Sequence, residues 1–538
     1  MRQPPPATPA RRITEKRSIP LRKITLLAKR LYRAVFSRLV ITCLLLASQV
    51  VWMAFLFLRL TEYAPWINGI CIGFSVIMCL LLIRLDHIQP EFKISWMALF
   101  MIMPVQGGIL YLLWGNKRPA FRLRRRLENA SMRIHPLLRQ DPAPAEELNR
   151  QDPRGALTAR YLSRQGPYPV FSNTQVKYYP LGEDMFADML PALESAEHFI
   201  FIEYFIIGLG KMWDQIHEIL KRKAAQGVDV RVIYDDVGSV SVLPIGYWSK
   251  LEEEGIHSLP FNPFVPVVNL VMNNRDHRKI MVIDGYTAFS GGANLADEYI
   301  NQLERFGHWR DTGIRLRGDA AWSFTIMFLE FWNANRPTDH EFEHFRPETH
   351  RPAPFAADGL VQPYADSPVD RESVSQNTYL ELINQARYSL FITTPYLILN
   401  NEIQTALCLA AKRGVDVRIY TPGIPDKKIA FQLTRSYFPP LLEGGVKIFS
   451  YTPGFLHGKT WLVDDRIAAV GSINLDYRSL YLHFECSTLL YGCSALKDIR
   501  ADMIDLESKC RAVTLNDCRT SFFGTLLSAV LRTMAPLF

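Results

Sequence analysis

Two patterns of apolar residues divide this chain. Its first part carries three long runs, residues 39–58, 66–83 and 94–115. The first two hold no charged residue, and the third is interrupted by Pro104 and Gly107-Gly108. A helix rises about 1.5 Å per residue, so runs of roughly twenty residues match the thickness of a bilayer's hydrocarbon core. Membrane segments are therefore expected across residues 39–115, and the absence of a small-residue cleavage site after the first run reads as a retained anchor. Beyond residue 170 the pattern shortens. ALESAEHFIFIEYFII and KRKAAQGVDVRVIYDD each read as a helix followed by a β-branched strand, and LINQARYSLFITTPYLI and AAKRGVDVRIYTPG repeat the arrangement. Helices alternating with buried strands predict an α/β layer structure in each of two halves, residues 171–345 and 371–538.

One skeleton occurs in both halves. His277-x-Lys279-x4-Asp284 is followed by six residues and Gly291-Gly292-x-Asn294. His457-x-Lys459-x4-Asp464 is followed by six residues and Gly471-Ser472-x-Asn474. Gly-Val-Asp-Val-Arg also recurs, at 227–231 and 414–418. One short motif arises readily by chance; two copies with the same glycine and asparagine downstream mark a repeated half-site.

The spacing suits phosphodiester chemistry. IMVID after Lys279 and WLVD after Lys459 read as buried strands, and residues two apart on a strand share a face. His277 and Lys279 thus point one way, as do His457 and Lys459. Histidine serves as nucleophile or proton shuttle near neutral pH, and lysine supplies a point charge for phosphate. Asp284 and Asp464 complete the motifs and are counted with the catalytic set. Their odd spacing, however, puts them on the opposite face of a regular strand and favours a structural part. Asn294 and Asn474 add amide donors for phosphate oxygens.

The flanking residues carry a resemblance. GGANLADEY with Trp309-Arg310-Asp311, and GSINLDYRSLYLHFE ending at Glu485, resemble the phospholipase D superfamily and, with the hydrophobic N-terminal segments, the bacterial cardiolipin synthases. The likeness runs from about residue 94 to the C-terminus. It implies two phospholipase D-like α/β/α halves forming one pseudo-twofold catalytic body behind N-terminal transmembrane helices. It implies that Asp311 and Glu485 each hydrogen-bond and orient the histidine of their own half. It implies a phosphatidyl transfer in which His277 forms a phosphohistidine while His457 protonates the leaving alcohol and then activates the incoming hydroxyl. Lys279, Lys459, Asn294 and Asn474 would hold the non-bridging oxygens, with no metal or other cofactor. Phosphatidylglycerol would be donor and acceptor, giving cardiolipin and glycerol; hydrolysis by water, another phosphatidyl transfer or cleavage of a nucleic-acid phosphodiester would use the same residues. The near-symmetric residues themselves do not say which imidazole attacks.

Charge refines the picture. Residues 1–38 hold eleven Lys and Arg against one Glu, and residues 117–139 hold eight against Glu128, so the body is mildly acidic although the chain's net charge is +8. Positive charge beside apolar runs points to an anionic phospholipid membrane as partner and away from nucleic acid. A cytoplasmic tail at 1–38 and a basic stretch opening the linker region 116–170 both belong inside by charge, which three full crossings forbid. A third segment that re-enters at its proline and glycines resolves this and leaves a multi-pass cell-membrane protein with a cytoplasmic catalytic body. A first run lying on the membrane, or an outward-facing body, are the other solutions.

Residues 140–170 and the five-proline stretch 345–368 read as linkers, the second assigned to 346–370. FNPFVPVVNLVM (261–272) lines an acyl-chain entrance, fills core or forms a surface loop. SFFGTLLSAVLRTMAPLF at the C-terminus is either an amphipathic helix touching the membrane or a core helix. The eight cysteines show no C-x2-C spacing, and three of them (Cys43, Cys71, Cys79) sit in the apolar runs, so neither a disulfide framework nor a zinc site is expected. His340, His344 and His350 cluster with Glu341 and Glu343 without ligand spacing, and no metal is expected there either.

Overall fold

The structure, a computed structural model, describes residues 64–85, 88–115, 121–263, 274–351 and 354–537, with a few more between 44 and 54. The basic tail, most of the first apolar run and most of the loop 261–272 lie outside these residues, so the expectations placed on them have no structural counterpart here.

The first half contributes β1 (Thr174–Tyr179), β2 (Phe199–Tyr204), β3 (Asp229–Asp235), β4 (His257–Phe261) and β5 (Arg275–Asp276). After these come β6 (Lys279–Ile283), β7 (Thr287–Gly291), β8 (His308–Arg310) and β9 (Gly313–Gly318). The second half begins with β10 (Leu360–Asp366), β11 (Ser389–Thr393), β12 (Asp416–Pro422), β13 (Lys447–Tyr451) and β14 (Gly454–Leu456). It ends with β15 (Thr460–Val463), β16 (Ile467–Gly471), β17 (His483–Tyr491) and β18 (Cys510–Ala512). One sheet runs β1-β9-β7-β6-β2-β3-β4 and the other β10-β17-β16-β15-β11-β12-β13-β18. Strand for strand up to β13, the orders are the same, which makes the halves copies of one fold.

Local sequence explains the shared pattern. The helices Lys211–Ala225 and Asn401–Lys412 cross between the parallel strands β2, β3 and β11, β12. Each is followed by a glycine at positive φ, Gly227 at 91° and Gly414 at 99°, a conformation that releases the chain into the next strand at little cost. β2 and β6 are buried along their whole length, as expected of central strands covered on both faces. The helix Ala321–Asn335 is buried on nearly all sides and forms part of the larger core, which also takes in the sheet of the second half.

Two short parallel pairings stitch the halves. β5 lies beside the start of β17, with Arg275 opposite His483, and β14 lies beside β8, with Gly454 opposite His308. Gly454 is required there, because a Cβ would stand 2.2 Å from the carbonyl oxygen of His308.

The structure corrects the linker assignments. Within 116–170 the chain forms the helices Phe121–Ile134, Pro142–Gln151 and Gly155–Gln165. Leu123, Leu127, Ile134, Leu148 and Leu162 on them are buried in the main core. The polar and proline residues that suggested a linker are the exposed faces and first turns of amphipathic helices; Asp141 caps one of them. The second linker is shorter than 346–370, since Leu360–Asp366 is the edge strand β10, fully buried against β17.

Among the described residues no helix is long and apolar enough to cross a membrane. The helix Ala64–Ile83 nonetheless runs twenty residues without a charge, and Trp66, Ile70, Val76 and Leu80 on it are exposed. The third apolar run is bent at its proline: the helix Pro90–Ile102 stops at Met103, and Pro104–Leu110 resumes in a new direction. Gly108 lets that second piece pack on Phe74, whose ring would stand 2.5 Å from an added Cβ.

Candidate active site

Each motif histidine lies at the seam between halves rather than inside its own. The backbone N–H of His277 donates to the carbonyl of Phe484 at 2.9 Å, and that of His457 donates to the carbonyl of Arg310 at 2.7 Å. The side chains are crossed in the same way. His277 Nδ1 lies 2.9 and 3.0 Å from the two carboxylate oxygens of Glu485, and His457 Nδ1 lies 2.5 Å from Asp311 Oδ2. The expectation that each carboxylate serves its own half is thus overturned. The physical reason is the pair of seam strands: β17 delivers Glu485 beside β5, and β8 delivers Asp311 beside β14.

A carboxylate only accepts, so Nδ1 of each imidazole carries the proton and Nε2 keeps its lone pair for chemistry. Burial is the largest influence on both rings. It holds His277 well below the usual imidazole range, with the charges of Lys279, Lys459 and His457 pushing the same way. It brings His457 down to about 4, aided by Lys459 and opposed by Asp311. The site therefore presents neutral imidazoles at physiological pH.

The lysines share the pocket. Lys279 Nζ donates to the carbonyl of His277 at 2.5 Å, while Lys459 Nζ contacts both the carbonyl of His457 and, at 2.8 Å, its Nδ1. Burial lowers Lys279 to about 8 and Lys459 to about 7, with neighbouring carboxylates pulling each back up. Burial works to raise Asp311, but His457 and Lys459 overcome it and hold this carboxyl below its ordinary value. Two ammoniums desolvated side by side are relieved by an anion between them, which a phosphodiester supplies.

Asp284 and Asp464 do not join this group. Asp284 accepts from the backbone N–H of Glu197, His198 and Phe199 at 2.8–2.9 Å, and Asp464 accepts from those of Arg387, Tyr388 and Ser389 at 2.7–2.9 Å. Both have positive φ, at 49° and 51°. They pin the turn after one strand to the start of its neighbour. Counting them as catalytic is corrected, and the odd spacing in the motif is the reason.

The asparagines differ. Asn294 is engaged by the protein, its Oδ1 accepting from Ile206 N at 3.1 Å and its Nδ2 donating to Tyr299 OH at 2.7 Å. Asn474 Oδ1 has no hydrogen-bond partner among the described residues. The sequence reading missed several further contributors. Ser472 Oγ donates to Glu485 Oε2, and at the matching position Gly292 makes room for Asp311, whose Oδ1 would lie 2.1 Å from an added Cβ. Rings surround the imidazoles: Trp309, Tyr299 and Phe455 lie 5.3, 5.6 and 5.7 Å from His457, and Phe205 lies 4.9 Å from His277. His483 stands 5.5 Å from His277, and burial lowers it to about 4. Among the described residues, the grouping with metal-like spacing is His277, His483 and Glu485, and the buried ammoniums of Lys279 and Lys459 disfavour a cation beside it. His350 instead uses Nε2 on the carbonyl of His344 at 2.7 Å. The one offset that hinted at the seam is the unequal distance from each asparagine to its carboxylate, seventeen residues in one half and eleven in the other.

Comparison with known proteins finds the same halves elsewhere. The profile of the family described as cardiolipin synthase, PLD-like domain, matches residues 189–304 and 379–506. A cardiolipin synthase of Halalkalibacterium halodurans is 34% identical over 492 residues, covering 90% of this chain and 96% of that protein. A cardiolipin synthase of Geobacillus kaustophilus is 37% identical over 436 residues, 80% of this chain and 86% of that one. Among solved structures, a phosphatidylserine synthase of Haemophilus influenzae superposes with a TM-score of 0.53 over 71% of this chain and 98% of its own, at 15% identity, a likeness of fold.

Proposed function

This chain belongs to the cardiolipin synthase family of phospholipase D-like enzymes, and on that premise we propose that it joins two phosphatidylglycerol molecules into cardiolipin with release of glycerol. The observation that carries the reading is the crossed pair of histidine–carboxylate contacts around two buried lysines. His277 Nε2 attacks phosphorus, and the P–N bond forms as the P–O bond to the departing glycerol breaks. His457, charged by proton uptake as the anionic phosphodiester settles beside it, protonates that oxygen. His457, now neutral, takes the proton of a hydroxyl on the second phosphatidylglycerol, whose oxygen displaces His277. Lys279 and Lys459 hold the non-bridging oxygens through both steps. Assigning the nucleophile to His277 follows the family's wording in the first half.

The helix Ala64–Ile83 and the bent pair Pro90–Ile102 and Pro104–Leu110 support membrane anchoring, with the third segment re-entering so that the basic helix Phe121–Ile134 and the catalytic body stay on the cytoplasmic side of the cell membrane. The test is a lipid product analysis by mass spectrometry on membranes containing phosphatidylglycerol, wild type beside His457→Ala. Cardiolipin and glycerol are expected from the wild type alone. Phosphatidic acid as the main product, unchanged by added alcohol acceptors, would make the protein a hydrolase instead.

A further inference from the structure

The C-terminal helix Phe522–Met534 is built inside out for a surface helix in water. Gly524, Ser528 and Leu531 are its less exposed positions, and only Leu531 of the three packs against the main core. Phe522, Phe523, Leu526, Leu527, Val530 and Met534 all point outward, the two phenylalanines 78% and 79% exposed. The outward face is thus the more apolar one, the reverse of an ordinary amphipathic helix on a soluble body.

Its neighbours say what covers that face. Ser95 Oγ of the apolar helix Pro90–Ile102 donates to the carbonyl of Thr533 at 2.6 Å, and on that helix Ile94, Met101 and Ile102 are exposed as well. The outward face therefore continues the exposed apolar surface of the N-terminal segments, so one apolar phase serves both. On its other flank the helix meets Lys428–Ser436, whose Thr434 Oγ1 accepts from Leu397 N at 3.2 Å. Leu397 in turn pairs with Leu475, the residue after Asn474, and Lys428–Ser436 begins two residues after Asp426, which accepts from Tyr396 OH at 2.5 Å. Arg532 lies over the ring of Tyr437 at 4.4 Å and fixes the C-terminal helix to the same corner.

We propose that Phe522–Met534 is a bilayer-docking helix that lies in the acyl boundary beside the N-terminal apolar helices and, through Lys428–Ser436, holds the rim of the catalytic pocket against the lipid surface. The proposal rests on the phosphatidyl-transfer reading of the pocket and adds how its substrate is reached from the membrane.

The experiment uses the full chain reconstituted in vesicles. Leu526→Glu/Leu527→Glu and, as a milder second variant, Phe522→Ser/Phe523→Ser are compared with wild type on long-chain phosphatidylglycerol in the bilayer and on dihexanoyl phosphatidylglycerol dissolved as monomer. Turnover of the bilayer substrate should fall at least tenfold, with turnover of the monomeric substrate within twofold of wild type. Bilayer turnover within twofold of wild type in the milder variant overturns the proposal. So does an equal fall on both substrates, which would make the helix a packing element, or a change of oligomeric state in light scattering, which would mean a second copy covers the face. If the wild type converts neither substrate to cardiolipin, the functional reading fails rather than this one.

Discussion

Asp311 Oδ2 meets Nδ1 of His457 at 2.5 Å although the two are 146 residues apart and belong to different halves of the duplicated body. Glu485 returns the contact to His277, 208 residues away. Neither motif histidine finds its carboxylate within its own half, so assembling the halves and assembling the chemistry are one event.

The crossed pairing predicts specific energetic coupling. In double-mutant cycles read by denaturant unfolding, Asp311→Asn and His457→Asn should be non-additive by about 1–3 kcal/mol, whereas Asp311→Asn and His277→Asn should add within about 0.5 kcal/mol. The opposite ranking would restore own-half pairing.

Gly292→Ala should act through His457. The added methyl displaces the Asp311 carboxylate, so kcat is expected to fall at least tenfold while KM for phosphatidylglycerol stays within threefold. Ser472→Ala, which removes only a donor to Glu485, should cost less, and steady-state kinetics on both variants checks the order.

Asp284→Ala and Asp464→Ala leave three backbone N–H groups without an acceptor at the start of a central strand. Each should lose about 2–4 kcal/mol of stability in urea unfolding, and the protein that remains folded should keep near-normal turnover. His277→Ala and His457→Ala should do the reverse, losing turnover by at least a thousandfold with the melting temperature little changed.

Substrate binding should weaken with rising pH. In the empty site Lys459 sits at about 7 and Lys279 at about 8, so both ammoniums are lost as pH climbs through those values. A bound phosphodiester favours the charged forms, so affinity is linked to proton uptake. KM for phosphatidylglycerol should rise about tenfold or more between pH 7 and 9, and Lys459→Arg, which cannot deprotonate in that range, should flatten the rise.

The sequence by itself determined the duplication, the α/β alternation and the motif residues, because strand periodicity and turn glycines are local properties that copy with the chain. It also carried the demotion of Asp284 and Asp464 in its odd spacing, a signal that the count of motif letters obscured. Tertiary structure decided the rest. Which carboxylate serves which histidine depends on β5 lying beside β17 and β14 beside β8, contacts between residues far apart whose partner cannot be read from either segment alone. Residues 121–165 likewise look polar because only one stripe of each helix is apolar, and that stripe becomes core only when the body is there to receive it.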